Sequence, residues 1–135
     1  MKNCPVCGRG TLERKTQRQV FRYQSQTFRY EQSGMWCDAC GEGILENADM
    51  DATERLLYDF RAHVDGYLPT AEIRRIRKKL GLTQKRAGEL FGGGHNAFSR
   101  YESGSARPPK STDTLLRLLD TYPELLNEIP QRSAA

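Results

Sequence analysis

The chain is predicted to be an α+β protein in two parts: a small β-hairpin and helix unit built around a metal, then an all-α unit of five helices. Three observations predict this. Two Cys-x-x-Cys pairs bracket a segment of alternating character, three- and four-residue apolar periodicity sets in at Asn47, and a glycine triplet separates two short amphipathic stretches. With 135 residues shared between two parts, each falls below the roughly 80 residues under which a domain often needs a metal, a disulfide or a partner. The expected domains are 1–67 and 68–130, with 131–135 as a disordered tail.

Cys4-Pro5-Val6-Cys7 opens the first part and Cys37-Asp38-Ala39-Cys40 closes its hairpin, each pair followed at once by glycine, at Gly8 and Gly41. The two-residue spacing brings both sulfurs of a pair within reach of one tetrahedral ion, and the glycines let backbone amides turn toward the thiolates. One structural Zn2+ is the expected occupant. A four-sulfur iron centre or two disulfides would satisfy the same spacing, but the reducing compartment expected here favours zinc. Four cysteine ligands leave no open coordination position, so the ion is expected to be structural and not catalytic.

Between the knuckles, Arg18 to Ser33 alternates with a period near two, which predicts β-strands joined by a polar turn at Gln24, Ser25 and Gln26. A third short strand is expected to carry Met35 and Trp36 into the second knuckle. The triplets Phe21-Arg22-Tyr23 and Phe28-Arg29-Tyr30 read as cross-strand packing before they read as a stacking platform for single-stranded nucleic acid. An open edge of the sheet could also accept a strand from a protein partner.

From Asn47 the pattern turns helical: Met50, Thr53 or Glu54, Leu57, Phe60 and Val64 recur at three and four, Leu56 widens the stripe, and Asn47 or Asp49 can cap it. Gly66 and Pro69 end this helix, and the boundary between the parts is placed near residue 67. Helices are then predicted over about 70–80, 83–91, 94–103, 111–121 and 122–128. Ile73, Ile76, Leu80, Leu82, Ala87, Leu90, Phe91, Phe98, Leu115, Leu118 and Leu119 are expected to share one core. Leu116, Leu125, Leu126 and Ile129 exceed its capacity and suggest a self-association surface. Folding back onto the bundle is the other use for them.

The helix opened by Thr83-Gln84, the turn Gly92-Gly93-Gly94 and the segment that follows form a helix-turn-helix, whose second helix enters the DNA major groove. Its leading polar residues are His95, Asn96, Ser99 and Arg100, while Ala97, Phe98 and Tyr101 have inward spacing. Asn and Arg one turn apart suit bidentate pairing with adenine and guanine. The net charge of +4, from 21 basic and 17 acidic residues, fits an anionic partner only if charge is well placed. Arg74, Arg75, Arg77, Lys78 and Lys79 precede the motif, and Lys85, Arg86, Arg100, Arg107 and Lys110 lie in or after it. Near a recognition helix these read as phosphate contacts, and otherwise as a solvated face. A dimer would set two recognition helices on a palindrome, about one turn of DNA apart. No apolar run reaches the roughly 18 residues of a membrane span and no signal peptide is evident, so a soluble, cytoplasmic protein is expected. An enzyme is not expected, because the metal site is filled and His63 and His95 stand far apart with no activated nucleophile.

These segments carry a resemblance that covers almost the whole chain. CPVC, the later CxxC, FRAHVDG, RKKLGLTQKRAGELFGGGHNAFSRYESGSARPPKST and LLRLLDTYPELLNEI resemble the MqsA antitoxins of bacterial toxin-antitoxin pairs. The resemblance implies an N-terminal zinc domain of the YgiT type that binds a toxin. It also implies a C-terminal helix-turn-helix of the Cro/C1 repressor type that dimerises on the operator of its own operon. The implied toxin is an MqsR-like, RelE-fold messenger RNA interferase. Carried over by position, Cys4, Cys7, Cys37 and Cys40 hold zinc and Asn96 and Arg100 read bases. Thr83, Gln84, Gly94, His95 and Ser99 are expected as DNA backbone contacts. Arg61, in the FRA segment, is implied as a linker phosphate contact, with a solvated surface arginine as its other reading. The hairpin Gln17–Ser33 matches the family loosely. A stand-alone zinc-containing transcription regulator with no toxin is the alternative function.

Overall fold

The computed structural model describes residues 2–130; the tail, 131–135, lies outside the described residues. By contact density the chain divides into two units that meet between Leu57 and Tyr58, within a helix and ahead of the boundary expected near residue 67.

The first unit is a four-stranded antiparallel sheet in the order β1-β2-β3-β4: β1 Lys2–Asn3, β2 Thr11–Tyr23, β3 Gln26–Cys37 and β4 Gly43–Ile44. The hairpin strands are longer than predicted because a two-residue loop, Gln24-Ser25, closes them directly, with both residues at positive φ (50° and 65°). That geometry matches the right-handed twist of the strands. Met35 and Trp36 therefore belong to β3 and not to a separate third strand. Phe21 pairs with Phe28 across the ladder, which sets the rings of both triplets on one face. There Phe21 stacks with Tyr23 at 6.3 Å and Phe28 with Tyr30 at 6.0 Å between centroids.

Helix α1, Asn47–Asp65, meets the sheet through polar groups. Buried Gln32 on β3 donates to the Asp49 carbonyl at 3.2 Å and accepts from Thr53 Oγ1 at 2.8 Å. Asp49 accepts the Glu46 backbone N–H at 3.0 Å, closing the helix start, and pairs with Arg14 of β2 at 3.0 Å. This rotation corrects the predicted apolar stripe. Met50 and Leu56 are each 46% exposed, while Tyr58 and Ala62 are buried.

The second unit contains the end of α1, α2 Thr70–Lys79, α3 Gln84–Phe91, α4 Ala97–Ser103, α5 Lys110–Thr121 and a last 3-10 helix, Pro123–Glu128. Its core is Leu68, Ile73, Ile76, Ala87, Ala97, Phe98, Tyr101 and Leu116, with Leu80, Leu82, Phe91 and Ala106 packed around it. Leu116 is fully buried and Leu118 is 48% exposed, the reverse of the sequence expectation. The reason is polar: buried Asp113 faces inward to accept the Leu68 N–H at 2.8 Å, and this fixes the rotation of α5. Asp59 likewise accepts from the backbone and hydroxyl of Thr70, at 2.8 and 3.0 Å.

Thr83 caps α3 by accepting the Arg86 N–H at 3.1 Å. Gly92, Gly93 and Gly94 all lie at positive φ, near 90°, which bars side chains from this turn and delays the start of α4 from residue 94 to Ala97. A methyl group on Gly88 would strike the Gly94 carbonyl oxygen. Gly88→Ala should therefore lower stability by about 1–3 kcal/mol despite its better helix propensity, because overpacking a backbone contact outweighs it; urea denaturation would register this as a lower midpoint. A second expectation concerns pH. Arg14, followed by the Glu46 amide, holds the Asp49 carboxyl below the usual carboxylate range. Its contribution to stability is then present above the ordinary carboxylate pKa and is lost as pH falls through the lowered one. The melting-temperature advantage of the native chain over Asp49→Asn should shrink on acidification from about pH 5 to about pH 3; a constant gap would refute the linkage.

Candidate metal centre and nucleic-acid interface

The knuckles put all four cysteine sulfurs within 4.8 Å of one another, with Cys4 Sγ 3.7 Å from Cys40 Sγ and Cys7 Sγ 3.7 Å from Cys37 Sγ. These separations exclude disulfides, whose sulfurs are about 2.05 Å apart. They match a tetrahedral ion, for which zinc–sulfur bonds of about 2.3 Å imply edges of about 3.8 Å.

The backbone is arranged for thiolates. Gly10 N–H donates to Cys7 Sγ at 3.3 Å, and the N–H groups of Ala39 and Cys40 donate to Cys37 Sγ at 3.3 and 3.4 Å. Each knuckle closes on itself, Gly8 N–H to the Cys4 carbonyl at 2.9 Å and Gly41 N–H to the Cys37 carbonyl at 3.2 Å. Gly10 lies so close that a Cβ there would meet Cys37 Sγ. The amides of Arg9 and Gly10 draw the Cys7 thiol down to about 6, and the amide of Cys40, ahead of that of Ala39, lowers Cys37. Cys40 moves the other way, up to about 12: a hydrogen bond from the Glu42 backbone N–H opposes the rise, but desolvation and the neighbouring sulfurs outweigh it. Four thiols this close cannot all ionise without a cation among them. The cluster fits one structural zinc, held by Cys4, Cys7, Cys37 and Cys40, which when bound would tie the two knuckles together.

The second candidate site lies on the helix-turn-helix. Gln84, Lys85, His95, Asn96 and Ser99 line one open concavity between the start of α3 and the start of α4. Asn96 is exposed at the N-cap position of α4 and makes no side-chain capping bond, so its carboxamide faces outward uncommitted. Arg100 is exposed one turn further on, and inward Phe98 and Tyr101 anchor the helix through ring contacts at 5.2 Å. Of the other expected residues, Gly94 is exposed in the turn and the Thr83 hydroxyl is engaged as the α3 cap. Arg61 is half-buried on α1 and does not line the concavity.

The basic run before the motif is mostly committed elsewhere. Arg77 is buried against Glu102, Arg75 pairs with Glu72 and Asp120, and Lys79 pairs with Asp120. Arg107 pairs with Asp65 at 2.8 Å and lies over the Tyr67 ring. Sequence reasoning placed Lys85 in the general basic cluster around the motif and not among the named contact residues, yet it lines the concavity; its place directly after Gln84 is the available signal.

A four-cysteine sheet unit followed by a helix-turn-helix bundle defines a two-part chain that joins a metal-binding module to a helical one. Residues 1–130 match the family described as the antitoxin component of the bacterial toxin-antitoxin system, MqsA. The chain is 44% identical over 128 residues to Antitoxin MqsA of Escherichia coli (strain K12), covering 93% of this chain and 98% of that protein. It belongs to the MqsA antitoxin family. Among the described residues no helix is long and apolar enough to cross a membrane.

Removing the metal should unfold the sheet unit and spare the bundle. A chelator titration followed by circular dichroism and a zinc assay is expected to release about one ion per chain, with loss of the sheet signal and retention of most helix. Sheet structure that persists in metal-free protein would contradict this.

Proposed function

We propose that this antitoxin neutralises an MqsR-like, RelE-fold messenger RNA interferase through its zinc unit and represses its own operon by binding a palindromic operator as a dimer. The observation that carries the operator half is the shared concavity of Gln84, Lys85, His95, Asn96 and Ser99, with Arg100 one turn along. In this reading Asn96 pairs with adenine and Arg100 with guanine. Thr83, Gln84, Gly94, His95 and Ser99 follow the sugar-phosphate backbone, and Arg61 contacts a phosphate from the linker. The proposed functional division follows domains 1–67 and 68–130.

Dimerisation is supported by an apolar strip beyond the needs of the core. Leu118, Tyr122 and Leu125 are all exposed at spacings of four and three, and half-buried Leu126 and Ile129 lie close by in sequence. Such a strip suits an isologous two-fold contact, which presents two copies of α4 to an inverted repeat. The toxin half rests on membership of the family, whose name denotes an antitoxin component.

Footprinting of the upstream DNA with the full-length protein is expected to protect an inverted repeat. Asn96→Ala and Arg100→Ala should each weaken operator binding by about 1–3 kcal/mol and relax preference at one base position. Equal losses on operator and random duplex would remove the base-reading assignment.

A further inference from the structure

Behind the concavity lies Glu102 of α4, only 7% exposed at its side chain. Its carboxylate receives Arg77 in two parallel bonds, Nε to Oε2 at 2.7 Å and Nη2 to Oε1 at 3.0 Å. The same Oε1 accepts Gln84 Nε2 at 3.4 Å, and Arg77 Nη1 donates to the Leu82 carbonyl at 2.8 Å. The carboxylate thus joins α2, the first residue of α3 and the interior of α4, and its Arg77 partner reaches the approach to α3.

The consequence for Gln84 is chemical. A carboxamide has two N–H donors at one end and an acceptor oxygen at the other, and a freely turning one presents either. Facing an anion it can present only the nitrogen, since oxygen against carboxylate oxygen is repulsive. One N–H is then held by Glu102, and the second keeps a fixed direction on a residue that lines the concavity. We infer that Glu102 is a positioning residue for DNA binding: anchored by Arg77, it orients the Gln84 amide so that its remaining N–H is offered to a backbone phosphate. This rests on the operator-binding reading above and adds to it a residue that never touches DNA.

The test is a double-mutant cycle in full-length, zinc-loaded protein, read by fluorescence anisotropy on operator and random duplexes. Gln84→Ala should weaken binding by about three- to tenfold, as for one hydrogen bond, and equally on both duplexes. The paired change Arg77→Met with Glu102→Leu removes the clamp while filling its volume with apolar groups, a swap that buried ion pairs commonly tolerate. In that background binding should already be weaker by a similar factor, and Gln84→Ala should add almost nothing. Equal costs of Gln84→Ala in both backgrounds, or none in the native chain, overturn the inference. Failure of the native chain to bind any operator sinks the operator reading instead. Should the paired variant not fold, side-chain 15N relaxation of the native, DNA-free protein decides. An order parameter for Gln84 Nε2 near the rigid value of about 0.85 supports the clamp, and one below about 0.6 overturns it.

Discussion

The buried ion pair between Arg77 and Glu102 is the contact on which the geometry of the helical unit turns. Ile73, Ile76, Phe98 and Leu116 supply fully buried apolar surface, but such burial is non-directional and leaves helices free to rotate and slide. A guanidinium fork meeting a carboxylate edge-on has one direction, and here it joins α2 to α4 while a further N–H pins the Leu82 carbonyl before α3. Withdrawing both charges from water costs several kcal/mol per ion, so the pair adds little net stability over an apolar filling. What it contributes is register. Loss of one partner alone would strand a buried charge, at about 3–5 kcal/mol.

The sheet unit solves the same problem by other means. Its buried apolar cluster consists of Cys4, Leu12 and Cys37, with Cys7, Met35 and Ile44 at the margin. Most of this cluster is ligand sulfur. A unit of this size buries too small a fraction of its surface for apolar packing alone to hold it, and the long hairpin contributes mainly backbone hydrogen bonds, each worth little net. Metal binding and folding are therefore expected to form one equilibrium in this unit. The contact of α1 with the sheet is polar as well, through Gln32, Thr53, Asp49 and Arg14.

Much of this was legible in the sequence, and the errors in core assignment share a cause. Cysteine spacing gave away the metal cluster, alternation revealed the hairpin, and Thr83 with the glycine triplet marked the helix-turn-helix, because each is a local rule with few competing solutions. Those mistakes fall where buried polar groups set the rotation of a helix. Leu118 looked like core and Leu116 like surplus because an apolar count cannot see that Asp113 points inward to the Leu68 amide. Met50 and Leu56 were assigned inward for the same reason, since Asp49 and Thr53 take the inner face of α1. Arg77 reads as a phosphate contact or a solvated arginine, and its burial is missed, because nothing within its own run of arginines and lysines announces Glu102, twenty-five residues away. The concavity was nearly complete from sequence, with Lys85 missing.

The distribution of paired charge explains how a chain with a modest basic excess could hold a polyanion. Arg14, Arg75, Arg77, Lys79, Arg86, Arg107 and Arg117 are matched with acidic partners, chiefly Asp49, Asp120, Glu102, Glu89, Asp65 and Asp113. Those acids are thereby neutralised where they stand. Lys85 and Arg100 carry no ion pair among the described residues; Lys85 lines the concavity between the starts of α3 and α4, and Arg100 is exposed on α4 one turn beyond Asn96. The local field at that face is then more positive than a net charge of +4 spread over the surface would make it. Few phosphates would be neutralised in the proposed complex, so counterion release alone gives a shallow salt dependence and weak non-specific binding. In that complex discrimination would come from the base contacts of Asn96 and Arg100, while an oriented neutral donor such as Gln84 would add affinity that depends on angle more than on charge. A buried clamp that fixes the angle of Gln84 matters more in such a protein than one further surface arginine.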